Sequence, residues 1–147
     1  MKILNFFTAL LFIIFCASMN NLTKAQEAQG NVFVMTNFER AFPEGGSARE
    51  LDSLSTLYMD KIYGKDNEYV VSCKAVRHWW GHNNRDFIQI VEVKSWDDIN
   101  KAYDRANELF KKVWPTKADR DNFNKAYNKY FTGKHSDEIY REVVFNK

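Results

Sequence analysis

The sequence predicts an α+β domain built on a four-stranded antiparallel sheet with helices on one face. Three observations carry that prediction. Short runs rich in β-branched and aromatic residues interleave with longer runs of helical periodicity, in the order β-α-β-β-α-α-β. Two of the strand-like runs flank a single turn cluster, as a hairpin requires. The helical runs are apolar along one stripe only, so each buries one side against something flat.

The elements follow in chain order. Residues 31–38, Asn-Val-Phe-Val-Met-Thr-Asn-Phe, form the first strand, and Phe42-Pro43-Glu44-Gly45-Gly46 reads as a loop. Ser47 with Glu50 has the spacing of a capping box, in which hydroxyl and carboxylate satisfy each other's exposed backbone N–H groups. Leu51, Leu54, Tyr58 and Ile62 recur at helical spacing, and Gly64 stops that helix. Glu68 to Trp80 is a long strand carrying Val70, Val71, Cys73 and Val76. Gly81-His82-Asn83-Asn84 is a turn, and Asp86 to Lys94 is the partner strand. Ser95 with Asp98 repeats the capping logic ahead of a stripe of Ile99, Ala102, Tyr103, Ala106, Leu109, Phe110 and Val113, which Pro115 ends. Thr116 with Asp119 opens a third helix, whose stripe is Phe123, Ala126, Tyr127, Tyr130 and Phe131 and which Gly133 closes. Glu138 to Phe145 supplies the last strand.

With one helix added, this order is the split β-α-β, ferredoxin-like pattern. In order, size and strand texture, residues 26–147 resemble a single domain of the dimeric α/β-barrel superfamily, in which two such sheets close face to face. The strands support that reading independently. Phe87, Val91 and Val93 share one face of their strand while Ile88 and Ile90 occupy the other, and Val32 and Val34 oppose Phe33 and Met35. A sheet with one face in water alternates cleanly. Both faces here are apolar, so a second copy of the chain is expected to cover the face without helices.

Residues 1–25 have the anatomy of a signal peptide. Lys2 precedes an apolar run from Ile3 to Met19, and Thr23 and Ala25 are small residues placed for cleavage after Ala25. The expected product is exported, periplasmic or extracellular, with no stable membrane insertion after cleavage. The whole chain of 147 residues carries 21 basic and 19 acidic side chains. Lys2 and Lys24 leave with the signal, so the remaining 122 residues are at charge balance. That balance excludes a dedicated nucleic-acid binder, which shows a basic surplus. It leaves one cysteine, Cys73, in an apolar run where a buried, inert thiol is expected.

Chemistry-bearing residues concentrate in two places. Arg77-His78-Trp79-Trp80-Gly81-His82-Asn83-Asn84-Arg85 lies at the hairpin tip, and Lys134-His135-Ser136-Asp137-Glu138 precedes the last strand. In a split β-α-β unit both share one end of the sheet with the 42–46 loop. His78, His82 and His135 are therefore candidate acid–base groups, since imidazole titrates near neutrality. Arg77, Trp79, Trp80, Arg85 and Asp137 are candidate ligand contacts, the indoles walling an apolar site. Three imidazoles with Glu44 also offer donors for a divalent metal, although His78 and His82 lack helical H-E-x-x-H spacing. The resemblance implies a haem or aromatic ligand, because several dimeric α/β-barrel families bind haem or oxidise aromatic compounds. Two functions stay open: binding, with or without conversion, of a small apolar or aromatic molecule in a pocket between sheet and helices, or a non-catalytic interaction domain whose tryptophan pair serves an interface.

Overall fold

The computed structural model describes residues 30–81 and 86–144. The chain divides into two compact units, Asn31–Arg141 and one drawn from its terminal segments, of which residues 30 and 142–144 are described. The signal-peptide segment and its cleavage point lie outside the described residues, as do His82 and Arg85. Among the described residues no helix is long and apolar enough to cross a membrane.

The larger unit runs β1 (Val32–Arg40), α1 (Ala48–Ile62), β2 (Val70–Arg77), β3 (Asp86–Val93), α2 (Asp98–Val113), α3 (Lys117–Asn128) and β4 (Phe131–Arg141). The sheet order is β2-β3-β1-β4, with every neighbouring pair antiparallel. Two split β-α-β units interlock in this order. β3 lies between β1 and β2, which α1 connects, and β1 lies between β3 and β4, which α2 and α3 connect. The end of β1, the β2–β3 tip and the start of β4 consequently share one end of the sheet.

Side-chain alternation decides which face the helices cover. Val32, Val34, Phe87, Val91 and Val93 point one way and are buried with Met59, Ile62, Ala102, Ala106 and Leu109 from the helices. Leu51, Phe123, Tyr127 and Tyr130 form a second buried cluster around Phe87. Fully burying an aliphatic side chain of this size contributes about 1.5–3 kcal/mol, so these residues anchor the helices to one face. The opposite face presents Phe33, Met35, Ile88 and Ile90, all half-exposed, with Val76 exposed. Met35 and Ile90 are register partners at its centre. Glu92, held by Asn31 at 2.6 Å and by Ser72, borders this patch.

Several local expectations change. Ser47 does cap α1, its hydroxyl accepting from the Glu50 N–H at 3.1 Å. The Glu50 carboxylate, however, takes Lys129 Nζ at 2.8 Å and the Tyr130 hydroxyl at 2.5 Å in place of the cap N–H. Those donors hold its pKa below the usual carboxylate range. Ser95 is not the cap of α2. Asp97 occupies that position with no side-chain cap bond, and the Ser95 hydroxyl donates to the Asp98 carboxylate at 2.8 Å. Thr116 and Asp119 make the full reciprocal box. Gly64 follows α1 because a Cβ there would meet the Asp60 carbonyl oxygen at 2.1 Å.

The largest correction concerns the last strand. It begins at Phe131, not Glu138, so Phe131 leaves the helical stripe and Gly133 lies inside β4 with φ 87°. α3 stops at Asn128, and the register of β4 shifts opposite Phe38 and Arg40. A polar edge strand, exposed from Thr132 to Arg141, has too few β-branched residues to announce itself.

Candidate functional site

A cleft opens between the helix-facing side of β1, β3 and β4 and the helices α1, α2 and α3. It has two adjoining compartments. The inner one, about 310 Å³, is walled by Tyr58, Tyr63, Phe110, Phe123, Tyr127 and Phe131, with Asn107, Asn124 and Asn128 at its polar margin. The outer one, about 520 Å³, is bounded by Val34, Val91, Ile99 and Ile139, and by Thr36, His135 and Asp137. Phe38, Tyr58, Tyr63, Gln89 and Tyr103 line both. Volumes of this order match small-molecule sites.

Register explains the polar floor. Thr36 pairs with Gln89 on one side and with Asp137 on the other. All three project toward the helices, so one rung of the sheet is polar where the rungs on either side carry Val34 with Val91 and Phe38 with Phe87. The rung is wired. The Thr36 hydroxyl donates to Asp137 Oδ1 at 2.7 Å, and the Gln89 amide donates to the Tyr127 hydroxyl at 3.0 Å. His135 Nε2 lies 3.6 Å from Asp137 Oδ2, and its ring tilts against Phe38 with centroids 5.7 Å apart. Thr36 thus fixes Asp137, and Asp137 lies within ion-pair distance of a half-exposed imidazole.

The walls are aromatic and neutral. Burial pushes the phenols of Tyr58, Tyr63 and Tyr127 above the ordinary tyrosine value. Tyr103 is raised as well, by burial first and then by the negative charge of Asp137 facing it from β4.

The sequence-predicted residues separate. His135 and Asp137 belong to the cleft. His78 continues β2, its N–H donating to the Asp86 carbonyl at 3.0 Å. β2 and β4 are opposite edges of the sheet, three inter-strand spacings or about 14 Å apart. The expected convergence of His78 with His135 therefore does not occur: they share an end of the sheet but not an edge. Trp79 and Trp80 are 87% and 91% exposed, so neither fills the core or walls the cleft. Arg77 turns to α1, where it pairs with Asp52 at 3.1 Å beside a separate cavity of about 490 Å³ that also reaches Cys73. The Cys73 thiol is half-buried rather than buried, and desolvation raises its pKa, which disfavours the reactive thiolate. Glu44 stays exposed in its loop.

No three His, Cys, Asp or Glu side chains among the described residues are placed to hold a metal ion. Haem fits the cleft poorly. No lysine or arginine among the described residues lines it to meet two propionates, and Asp137 would oppose them.

Sequence reasoning missed Thr36, Tyr58, Tyr63 and Gln89. A signal existed for two of them. Thr36 and Gln89 are the polar interruptions of otherwise apolar alternating positions, Val32-Val34-Thr36-Phe38 and Phe87-Gln89-Val91-Val93.

Comparison with known proteins places the fold. The chain aligns with a NIPSNAP family protein of unknown function from Agrobacterium tumefaciens at TM-score 0.55 and 10% identity, covering 81% of this chain and 94% of that one. It aligns with a variant of SnoaB, a cofactor-independent oxygenase from Streptomyces nogalater, at TM-score 0.50 and 10% identity, covering 79% and 96%. A dimeric ferredoxin-like protein from an uncultured marine organism aligns at TM-score 0.50 and 11% identity, covering 80% and 92%. These likenesses show a ferredoxin-like fold. No family model and no curated protein matches the sequence.

Proposed function

We propose that this protein is exported and binds a small apolar or aromatic molecule in the sheet–helix cleft, acting as a homodimer through its open sheet face. The observation that carries the reading is the cleft itself: two adjoining aromatic-walled compartments over a hydrogen-bonded polar rung. A packed core does not leave such space beside polar groups. His135, flanked by Asp137, is the group in the lining suited to proton transfer. The dimer rests on the apolar centre of the helix-free face, Phe33, Met35, Ile88 and Ile90, and on the dimeric state of the marine ferredoxin-like protein. Export rests on residues 1–25, with the working domain spanning 26–147.

The test is a titration with 1-naphthol followed by its own fluorescence. Saturable binding is expected, and Asn124→Trp, which puts an indole into the inner compartment from an exposed helix position, should abolish it. Absence of saturable binding, or binding untouched by Asn124→Trp, overturns the cleft reading. The exposed Trp79 and Trp80 favour a second reading, an interaction domain, which predicts the first of those two failures. Mass spectrometry of the secreted product tests export, the expected N-terminus being Gln26.

A further inference from the structure

The charge of the cleft narrows its ligand further. Among the described residues no lysine or arginine lines either compartment, and Asp137 is the one carboxylate. Thr36 holds that carboxylate in place at 2.7 Å. Opposite it, three tyrosine rings turn successive corners. Tyr58 and Tyr63 meet at 71° with centroids 5.9 Å apart, and Tyr63 and Tyr103 meet at 89° and 6.4 Å. Rings set this way form adjacent walls, and aromatic rings attract positive charge placed over their faces. Burial keeps their phenols protonated, so no wall contributes a charge of its own.

Resting on the reading of the cleft as a ligand site, we propose that its occupant is an organic cation: an apolar or aromatic body with a quaternary or protonated amine. The charged group sits in the corner of Tyr58, Tyr63 and Tyr103 beside Asp137, and the body enters the inner compartment among Phe110, Phe123 and Tyr127. The three asparagines at the inner margin are uncharged and oppose neither part. Anions are selected against, because Asp137 meets them at the mouth and the one basic group in the lining, His135, stands beside that carboxylate.

Three probes built on one benzyl group test this in ligand-observed NMR on the purified protein: benzyltrimethylammonium, its uncharged carbon isostere neopentylbenzene, and phenylmethanesulfonate. The cation is expected to bind about tenfold more tightly than the isostere, and the sulfonate most weakly. Asp137→Asn, its fold checked by circular dichroism, should reduce the cation's advantage to less than about threefold. If the isostere binds as well as the cation, this proposal is wrong while the cleft remains a ligand site. If neither binds, the cleft reading falls with it. An advantage unchanged in Asp137→Asn also overturns the proposal, because the carboxylate would then play no part.

Discussion

Asn67 gives the most exacting test of how the cleft is held open. It lies between α1 and β2, is 1% exposed, and its amide nitrogen donates twice: to the Ile62 carbonyl at 3.2 Å and to the Ala102 carbonyl at 2.9 Å. Ile62 ends α1, so its carbonyl is among those the helix itself leaves unpaired. Ala102 lies inside α2. One side chain therefore ties the end of α1, directly before Tyr63, to α2, which carries Tyr103. Asn67→Ala strips the donors and leaves a small void. Orphaning a buried carbonyl costs about 1–3 kcal/mol and the second bond adds about 1 kcal/mol, so roughly 3 kcal/mol is expected. Asn67→Asp keeps the volume but replaces the donor with a second oxygen. Oδ1 already meets no donor among the described residues, so the new carboxyl faces two carbonyls with nothing to stabilise it. Its loss should exceed that of alanine, at about 4 kcal/mol. Against a total stability of about 5–15 kcal/mol, either change is large. Urea unfolding followed by far-ultraviolet circular dichroism measures both. A loss below about 1 kcal/mol for Asn67→Asp, or a smaller loss than for Asn67→Ala, would refute the reasoning, because geometry rather than donated hydrogen bonds would then be joining the helices.

Two further outcomes are expected. The phenols of Tyr58, Tyr63 and Tyr127 keep their protons in the folded state beyond the value near 10 of an unfolded tyrosine. The stability this represents is present in full below about pH 10, where both states are protonated, and is lost as pH rises further. The urea midpoint should drop between about pH 9 and about pH 11, with phenolate absorbance from these residues arising only alongside unfolding; free titration in the folded protein contradicts the burial. For the open face, the protein should run as a dimer in light scattering, and Ile90→Lys should give a folded monomer because Ile90 points away from the helices. A monomeric parent, or a dimer that survives the lysine, argues against pairing through this face.

Much of the fold was legible because the strong signals are local. Alternation in β1 and β3 told the two faces apart residue by residue, and the stripes of α1 and α2 named Leu51, Ile62, Ala102 and Leu109 as core. The last strand was misplaced for an equally local reason. Phe131 lies four residues after Tyr127 and so extends a helical stripe, while the strand it begins is polar from Thr132 to Glu138. The site was legible only in part. His135 and Asp137 stood out as a dense polar cluster. Tyr58 shares the spacing of Leu54 and Ile62, and a tyrosine lining a cleft from a helix looks the same in sequence as one in a core. The hairpin tip drew attention by its density of His, Trp and Arg, yet chain order alone does not say that β2 and β4 become opposite edges. That follows from the interlocking of the two split units.

The openness of the cleft and the polarity of its floor depend on each other. The second crossover spends its length on two helices, and α3 ends at Asn128, so the helix-facing residues of β4, among them His135, Asp137 and Ile139, remain exposed. A longer apolar helix laid over β4 would bury Thr36, Gln89 and Asp137 together. Their mutual bonds satisfy only some of their lone pairs, and the cost of taking a carboxylate from water without a cation far outweighs the benefit of burying the apolar side chains around it. The polar rung therefore opposes closure by the chain's own helices and favours an occupant that brings what the rung lacks. That occupant must leave the aromatic walls in apolar surroundings while meeting one negative charge, which is the chemistry of an organic cation rather than of haem or another anion.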